Sequence, residues 1–257
     1  MSYLVICVVA FMASGLTFFS GFGLGTLLLP AFALFFPLEQ AISLTAIVHF
    51  LNGLFKLALV GRHAKQNIVL RFGIPAIVFS LFGAWLLLQL SNMEPLITYA
   101  AFDQQLQILP IKLVVGILLL VFVLVELLPR LREMSFPQKF MPLGGALSGF
   151  FGGLSGMQGA LRSAFLVKAG LSKEEFVATG VVIACLIDIS RLGIYAGAVV
   201  ADGSRFDYPL LTAAAISAFA GAFIGNRYIK KLTMHSIQTI VAIMLFLVAI
   251  GLIAGLL

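Results

Sequence analysis

Polar side chains interrupt otherwise apolar sequence at helical spacing in three places. Thr45, His49, Asn52 and Lys56 recur at intervals of four, three and four, which puts them on one face of a helix. Asp188 and Arg191 stand three apart, and Tyr195 follows Asp188 by seven, again on one face. Ser155, Gln158 and Arg162 gather at a glycine-rich run, 152–159. The chemistry these residue types offer is anion binding. A guanidinium presents a planar fork of donors that suits an oxyanion, and His49 can add a charge near neutral pH. Lys56, Arg162 and Arg191 against Asp188 leave the apolar segments net positive, which favours an anion. Ionisable groups at membrane depth are costly and usually functional. The same spacings would also serve a hydrogen-bonded seam between helices, a structural Asp188–Arg191 pair, or an Arg162 that neutralises helix ends. Lys56, one turn from a segment end, could snorkel. The residues alone leave these alternatives open.

The elements that must position these groups are two broken apolar segments. From Tyr3 to Phe36 the chain stays apolar for about 34 residues, roughly 50 Å as one helix, against a hydrocarbon core of about 30 Å. Gly21, Gly23 and Gly25, followed by Thr26, mark the break. A second break falls at Gly152-Gly153-Leu154-Ser155-Gly156-Met157-Gln158-Gly159. Irregular backbone at membrane depth survives only where it is buried in protein or lines a cavity. Two interrupted segments at matching places in two halves point to a transporter's binding site. Half-helices starting at such breaks expose unpaired N–H groups and a positive dipole end, and glycine lets backbone approach a ligand. The candidate substrate-binding set is therefore Gly21, Gly23, Gly25, Thr26, His49, Asn52, Ser155, Gly156, Gln158, Arg162, Asp188 and Arg191.

Composition bounds the rest. The chain is 61% hydrophobic and 10% charged, a balance expected of a polytopic membrane protein and not of a soluble domain. Its net charge of +6 comes from basic residues in short loops, without the aromatic-rich basic patch that nucleic acid requires. No CxxC, HExxH or GxxxxGK[ST] pattern occurs, so neither a metal site nor a nucleotide-driven pump is expected, and no cofactor. Cys7 and Cys185 read as packing residues. No basic n-region precedes the first segment, so it is expected to stay in the mature protein.

Further apolar segments at 41–60, 72–90, 111–128, 176–199, 209–225 and 235–257 complete an all-α polytopic design of eight to ten apolar segments. The stretch 91–110 reads as a loop with an apolar middle. An internal repeat relates the halves: Arg71-Phe72-Gly73-Ile74-Pro75 matches Arg205-Phe206-Asp207-Tyr208-Pro209, Glu39 matches Glu174, Lys56 matches Arg191, and Gly21 matches Gly156, all at an offset of 134 or 135. Residues 1–128 form a first repeat, 129–140 a cytoplasmic linker and 141–257 a second repeat. Loops 61–71, 129–140, 168–175 and 226–234 carry eleven of the sixteen Lys and Arg and are expected inside. Each half is then a broken, re-entrant hairpin plus three spans, and the halves are inverted. Two tilted spans per hairpin would give the same sidedness.

The run GFGLGTLLLPAFALFFP, the return of its pattern near 152–171 and the succession of apolar segments resemble the TauE/SafE sulfite exporter family of membrane permeases. The resemblance covers nearly the whole chain. It implies movement of sulfite, sulfoacetate or other organosulfonates across the cytoplasmic (inner) membrane. The chain departs from the family pattern at the corners, with Ser43-Leu44-Thr45 and Ala178-Thr179-Gly180, and lacks a second-half counterpart of Pro30. The expected function is a secondary transporter of a small sulfur oxyanion held where the two breaks meet, with a passive anion channel as the alternative. An enzyme is not expected, because neither cysteine has a Lys, Arg or His immediately beside it to activate a thiolate. The expected partners are the anion and the lipid bilayer.

Overall fold

The computed structural model describes residues 2–16, 24–101, 104–128, 130, 134–202, 207–228 and 234–257. Gly21, Gly23, Arg205 and Phe206, which the sequence reading uses, lie outside them, as do parts of the stretches 91–110, 129–140 and 226–234. Ten helices and one hairpin make up the described chain: α1 (Ser2–Leu16), α2 (Leu24–Ala33), α3 (Leu38–Val60), α4 (Gln66–Ser91), β1 (Ile97–Ala101), β2 (Gln104–Ile108), α5 (Pro110–Leu127), α6 (Met141–Ser155), α7 (Gly159–Leu166), α8 (Lys173–Asp202), α9 (Tyr208–Tyr228) and α10 (Met234–Ile253). Among the described residues, Leu38–His63, Gln66–Ser91, Lys173–Gly197 and Tyr208–Gly225 are long and apolar enough to cross a membrane. α4, with 26 residues, reaches about 39 Å. Leu70, Ile74, Val78, Phe82, Ile189, Ile216 and Leu247 point outward and are exposed, as lipid-facing residues are when no lipid surrounds them.

Two expectations need correction. The all-α reading misses the hairpin at 97–108, whose strands pair antiparallel with Tyr99 opposite Leu106. Its β-branched and aromatic residues favour pleated backbone, and the Tyr99 hydroxyl donates to the Ala254 carbonyl at the end of α10. The loop at 61–71 is shorter than expected. A 3-10 turn at Gly61–His63 is followed by α4 from Gln66, so Arg71 is helical.

α6 and α7 form a hairpin with 15 and eight residues, about 22 and 12 Å, so neither crosses a 30 Å core alone. Its two ends are tied together, since Gln138 Nε2 donates to the Ala169 carbonyl at 2.9 Å and the Phe136 amide to the Ala164 carbonyl at 3.2 Å. Its tip is Gly156, whose φ of 80° ends α6 in the left-handed conformation that favours glycine. α8 then starts on a reciprocal cap: the Ser172 amide donates to Glu175 Oε2, and the Glu175 amide to Ser172 Oγ. Glu175 also pairs with Lys65 at 2.7 Å. These contacts bring the turn before α4, the segment before α6 and the start of α8 to one end of the molecule.

Glycine ridges hold the hairpin in place. Gly145, Gly149 and Gly153 of α6 lie on α4 so closely that a Cβ would come within 2.1 Å of the carbonyls of Phe72, Ala76 and Ser80. On the other flank, Gly221 and Gly225 of α9 meet the carbonyls of Phe11 and Gly15 of α1 at 2.0 and 2.4 Å by the same construction. Both pairs run parallel, because residue numbers rise together along each contact. Tyr3, at the start of α1, donates its hydroxyl to Asp207 at 2.7 Å, while Asp207 caps α9 by accepting from the Leu210 amide. Small residues at four-residue spacing let helices approach where no hydrophobic force draws them together. α3 packs on α8 and α5 on α10, around a core that includes Leu28, Phe32, Ile42, Leu119, Leu245 and Ala249.

Gly149→Val should therefore push α4 and α6 apart and lower the thermal unfolding midpoint of the detergent-purified protein, by the equivalent of roughly 2 kcal/mol or more. Gly193→Ala, where a Cβ meets nothing within 4 Å, should leave the midpoint unchanged or raise it slightly.

Candidate functional site

The residues near the middles of α3 and α8 and at the tip of the α6–α7 hairpin converge on one carboxylate. Asp188 Oδ2 lies 2.5 Å from His49 Nδ1. Asp188 Oδ1 accepts from Arg191 Nε at 3.0 Å, Arg191 Nη2 at 2.8 Å and Gln158 Nε2 at 3.1 Å. Gln158 Oε1 in turn accepts from Arg162 Nη1 at 3.0 Å. Asp188 and Arg191 are fully buried, Gln158 and Arg162 nearly so, and the His49 side chain is 16% exposed. The cluster joins the N-terminal half, through His49, to the C-terminal half. Helical spacing alone accounts for the Asp188–Arg191 pair. The lateral contacts with Gln158 and His49 need the hairpin tip to sit between α3 and α8.

The two breaks meet here. A Cβ on Gly25 would lie 3.2 Å from the Gly156 carbonyl oxygen and 3.6 Å from His49 Cδ2. A Cβ on Gly156 would lie 2.8 Å from Arg191 Nη1. Gly156 is thus fixed twice, by its positive φ and by the guanidinium against it. Arg191 Nη1 also donates to the Gly152 carbonyl at 3.3 Å, and the Tyr195 hydroxyl donates to that of Gly153, so the last turn of α6 hands carbonyls to α8 side chains. Gly21 and Gly23 lie outside the described residues.

The remaining candidates divide. Asn52 is buried and its Oδ1 accepts from Ser14 Oγ of α1 at 3.0 Å; it braces the hydrogen-bonded seam between helices. Ser155 donates to the Phe151 carbonyl of its own helix at 3.0 Å, which turns its hydroxyl back along α6. Thr26 is half-buried on α2. Thr45 is buried, and its Oγ1 finds no hydrogen-bond partner. Lys56 is buried within the molecule and does not snorkel; it stands close enough to Arg162 for the two cations to repel. Ser148 escapes the sequence reading. Its Oγ donates to the Gln158 carbonyl at 2.9 Å and so fixes the tip. The only signal was a serine inside a glycine stripe, which reads as small-residue packing.

Among the described residues, the buried charged side chains are Lys56, Arg162, Arg191 and Asp188. Three cations against one carboxylate leave a net positive centre. A positive balance of buried charge, with guanidinium donors in it, suits an anion. Removing the one carboxylate should be severe. Asp188→Ala should cost about 3–5 kcal/mol, read as a fall in unfolding midpoint, because Arg191 is left buried without its counter-charge. The double variant D188A/R191A should recover part of that loss.

A search of curated proteins finds no match to this sequence. The model of the sulfite exporter TauE/SafE family matches residues 6–252, which takes in both breaks, the glycine ridges and every described residue of the buried cluster. This chain belongs to the TauE/SafE sulfite exporter family, and it is a helical membrane protein of that transporter family.

Proposed function

We propose that this protein is a secondary transporter that carries a small sulfur oxyanion, sulfite or an organosulfonate such as sulfoacetate, across the cytoplasmic membrane. The observation that carries the reading is the net positive, buried centre at the contact of the two glycine breaks. Arg162, with Lys56 beside it, supplies attraction and donors for the oxyanion. Arg191 acts mainly by position: two of its nitrogens are engaged by Asp188, and it presses on Gly156 from behind. The residue set Gly21, Gly23, Gly25, Thr26, His49, Gln158 and Gly156 surrounds the anion in this reading, while Asn52 and Ser155 support the walls.

Two inverted repeats give the centre its alternating access. α4 pairs with α6 as α9 pairs with α1, and the equivalent helices α3 and α8, and α5 and α10, pair with each other. An approximate twofold axis accounts for that pattern, and the sidedness of the basic loops supports placing it in the membrane plane. The tied ends and short arms of α6–α7 favour a re-entrant hairpin entering from the basic, cytoplasmic side. Burial favours a carrier over a channel, since no member of the cluster around Asp188 is more than 16% exposed.

Proteoliposomes holding the purified protein should take up or release sulfite or sulfoacetate with saturable kinetics, and Arg162→Gln should reduce that flux by about tenfold or more. Flux that never saturates would replace the carrier with a channel. Absence of flux for both anions would overturn the substrate assignment. Accessibility labelling should find both termini on the outer face; termini on opposite faces would overturn the inverted arrangement.

A further inference from the structure

We propose that His49 binds a proton together with the anion, so that anion and proton are carried in one step. The inference rests on the anion site proposed above. His49 Nδ1 faces Asp188 Oδ2 at 2.5 Å. Asp188 is held as a carboxylate by the guanidinium of Arg191, so Nδ1 must be the nitrogen that carries hydrogen. In a neutral ring, Nε2 is then left with a lone pair. The ring edge opposite Asp188 faces the break, because Cδ2, bonded to Nε2, is the atom 3.6 Å from a Cβ placed on Gly25. An oxyanion at the break would meet that lone pair and be repelled. One proton taken from water onto Nε2 turns the acceptor into a donor and adds a positive charge where the anion sits. Release of the anion removes the reason to hold the proton, and it returns to water.

The other ionisable groups around His49 are accounted for. α8 brings Asp188, Arg191, Cys185 and Tyr195; α7 brings Arg162; α3 itself brings Lys56. α2 and α6 have no ionisable side chain, and α9 carries its own, Tyr208, Arg227 and Tyr228, near its two ends. Asp188 is already committed to Arg191, so the exchangeable position that also faces the break is Nε2.

Linkage makes this measurable. A group that gains a proton when ligand binds makes affinity rise as pH falls, by up to about tenfold per pH unit. Sulfoacetate is the suitable probe, because its charge is constant around neutrality whereas sulfite itself titrates there. Calorimetric titration of the detergent-purified protein, in buffers with different heats of ionisation, should show up to one proton taken up per sulfoacetate bound near neutral pH. His49→Gln should bind sulfoacetate more weakly, take up no proton and show affinity independent of pH. Wild-type binding without proton uptake would overturn the proposal and leave the anion site standing. Unchanged uptake in H49Q would also overturn it, assigning the proton to another group. Binding of neither sulfoacetate nor sulfite would remove the anion site, and the proposal with it. Absence of proton uptake in the wild type overturns the proposal even if the variant fails to fold.

Discussion

A single carboxylate with both oxygens occupied is the constraint on which the centre of this molecule depends. Asp188 takes donors from its own helix, from the hairpin tip and from the opposite half of the chain. A buried carboxylate is tolerable only when its lone pairs are answered. Each answer fixes an element: Arg191 fixes the rotation of α8, Gln158 the depth of the α6–α7 tip, and His49 the rotation of α3. Arg191 then reaches past Asp188 to the Gly152 carbonyl of α6, which also accepts the Gly156 amide. One guanidinium thus answers the buried carboxylate and ties α8 to the hairpin backbone.

That polar centre requires the hairpin tip to arrive between long helices without side chains in the way. Glycine makes this possible at two scales. Along α6 it lets backbone lie on the backbone of α4. At the tip, Gly156 adopts a conformation costly to other residues and leaves room for both Arg191 and Gly25. The apolar core around Leu28, Phe32 and Leu245 has no comparable precision of partner. It buries area, while the glycines and Asp188 set register.

Much of this was legible in the sequence, for physical reasons. A charged or amide side chain inside an apolar segment is expensive, so His49, Gln158, Asp188 and Arg191 stood out by type, and helical spacing put neighbours on shared faces. The breaks stood out because the apolar runs exceed what one crossing helix needs. What spacing cannot carry is contact between elements. Nothing local says that His49 and Gln158 share Asp188, or that Ser155 turns back onto Phe151. The glycine ridge of α6 was hidden by its own break signal, since glycines read as bends also serve as contact surface. The hairpin at 97–108 was hidden for a different reason: its short alternation competes with an apolar stretch that fits a loop at the membrane surface equally well.

The meshing of α6 on α4, and of α9 on α1, has a mechanical corollary. Backbones that interlock every four residues resist sliding along their axes, since a small slip drives Cα into carbonyl at several points at once. Each meshed pair therefore holds together as one unit, and each unit joins a helix from residues 1–128 to a helix from residues 141–257. In the carrier proposed above, the rigid units would then be these mixed pairs and not the two halves of the sequence. Motion of the α4–α6 pair against the rest would then be resisted where its hairpin tip meets Asp188, at the centre of the molecule and not at its rim.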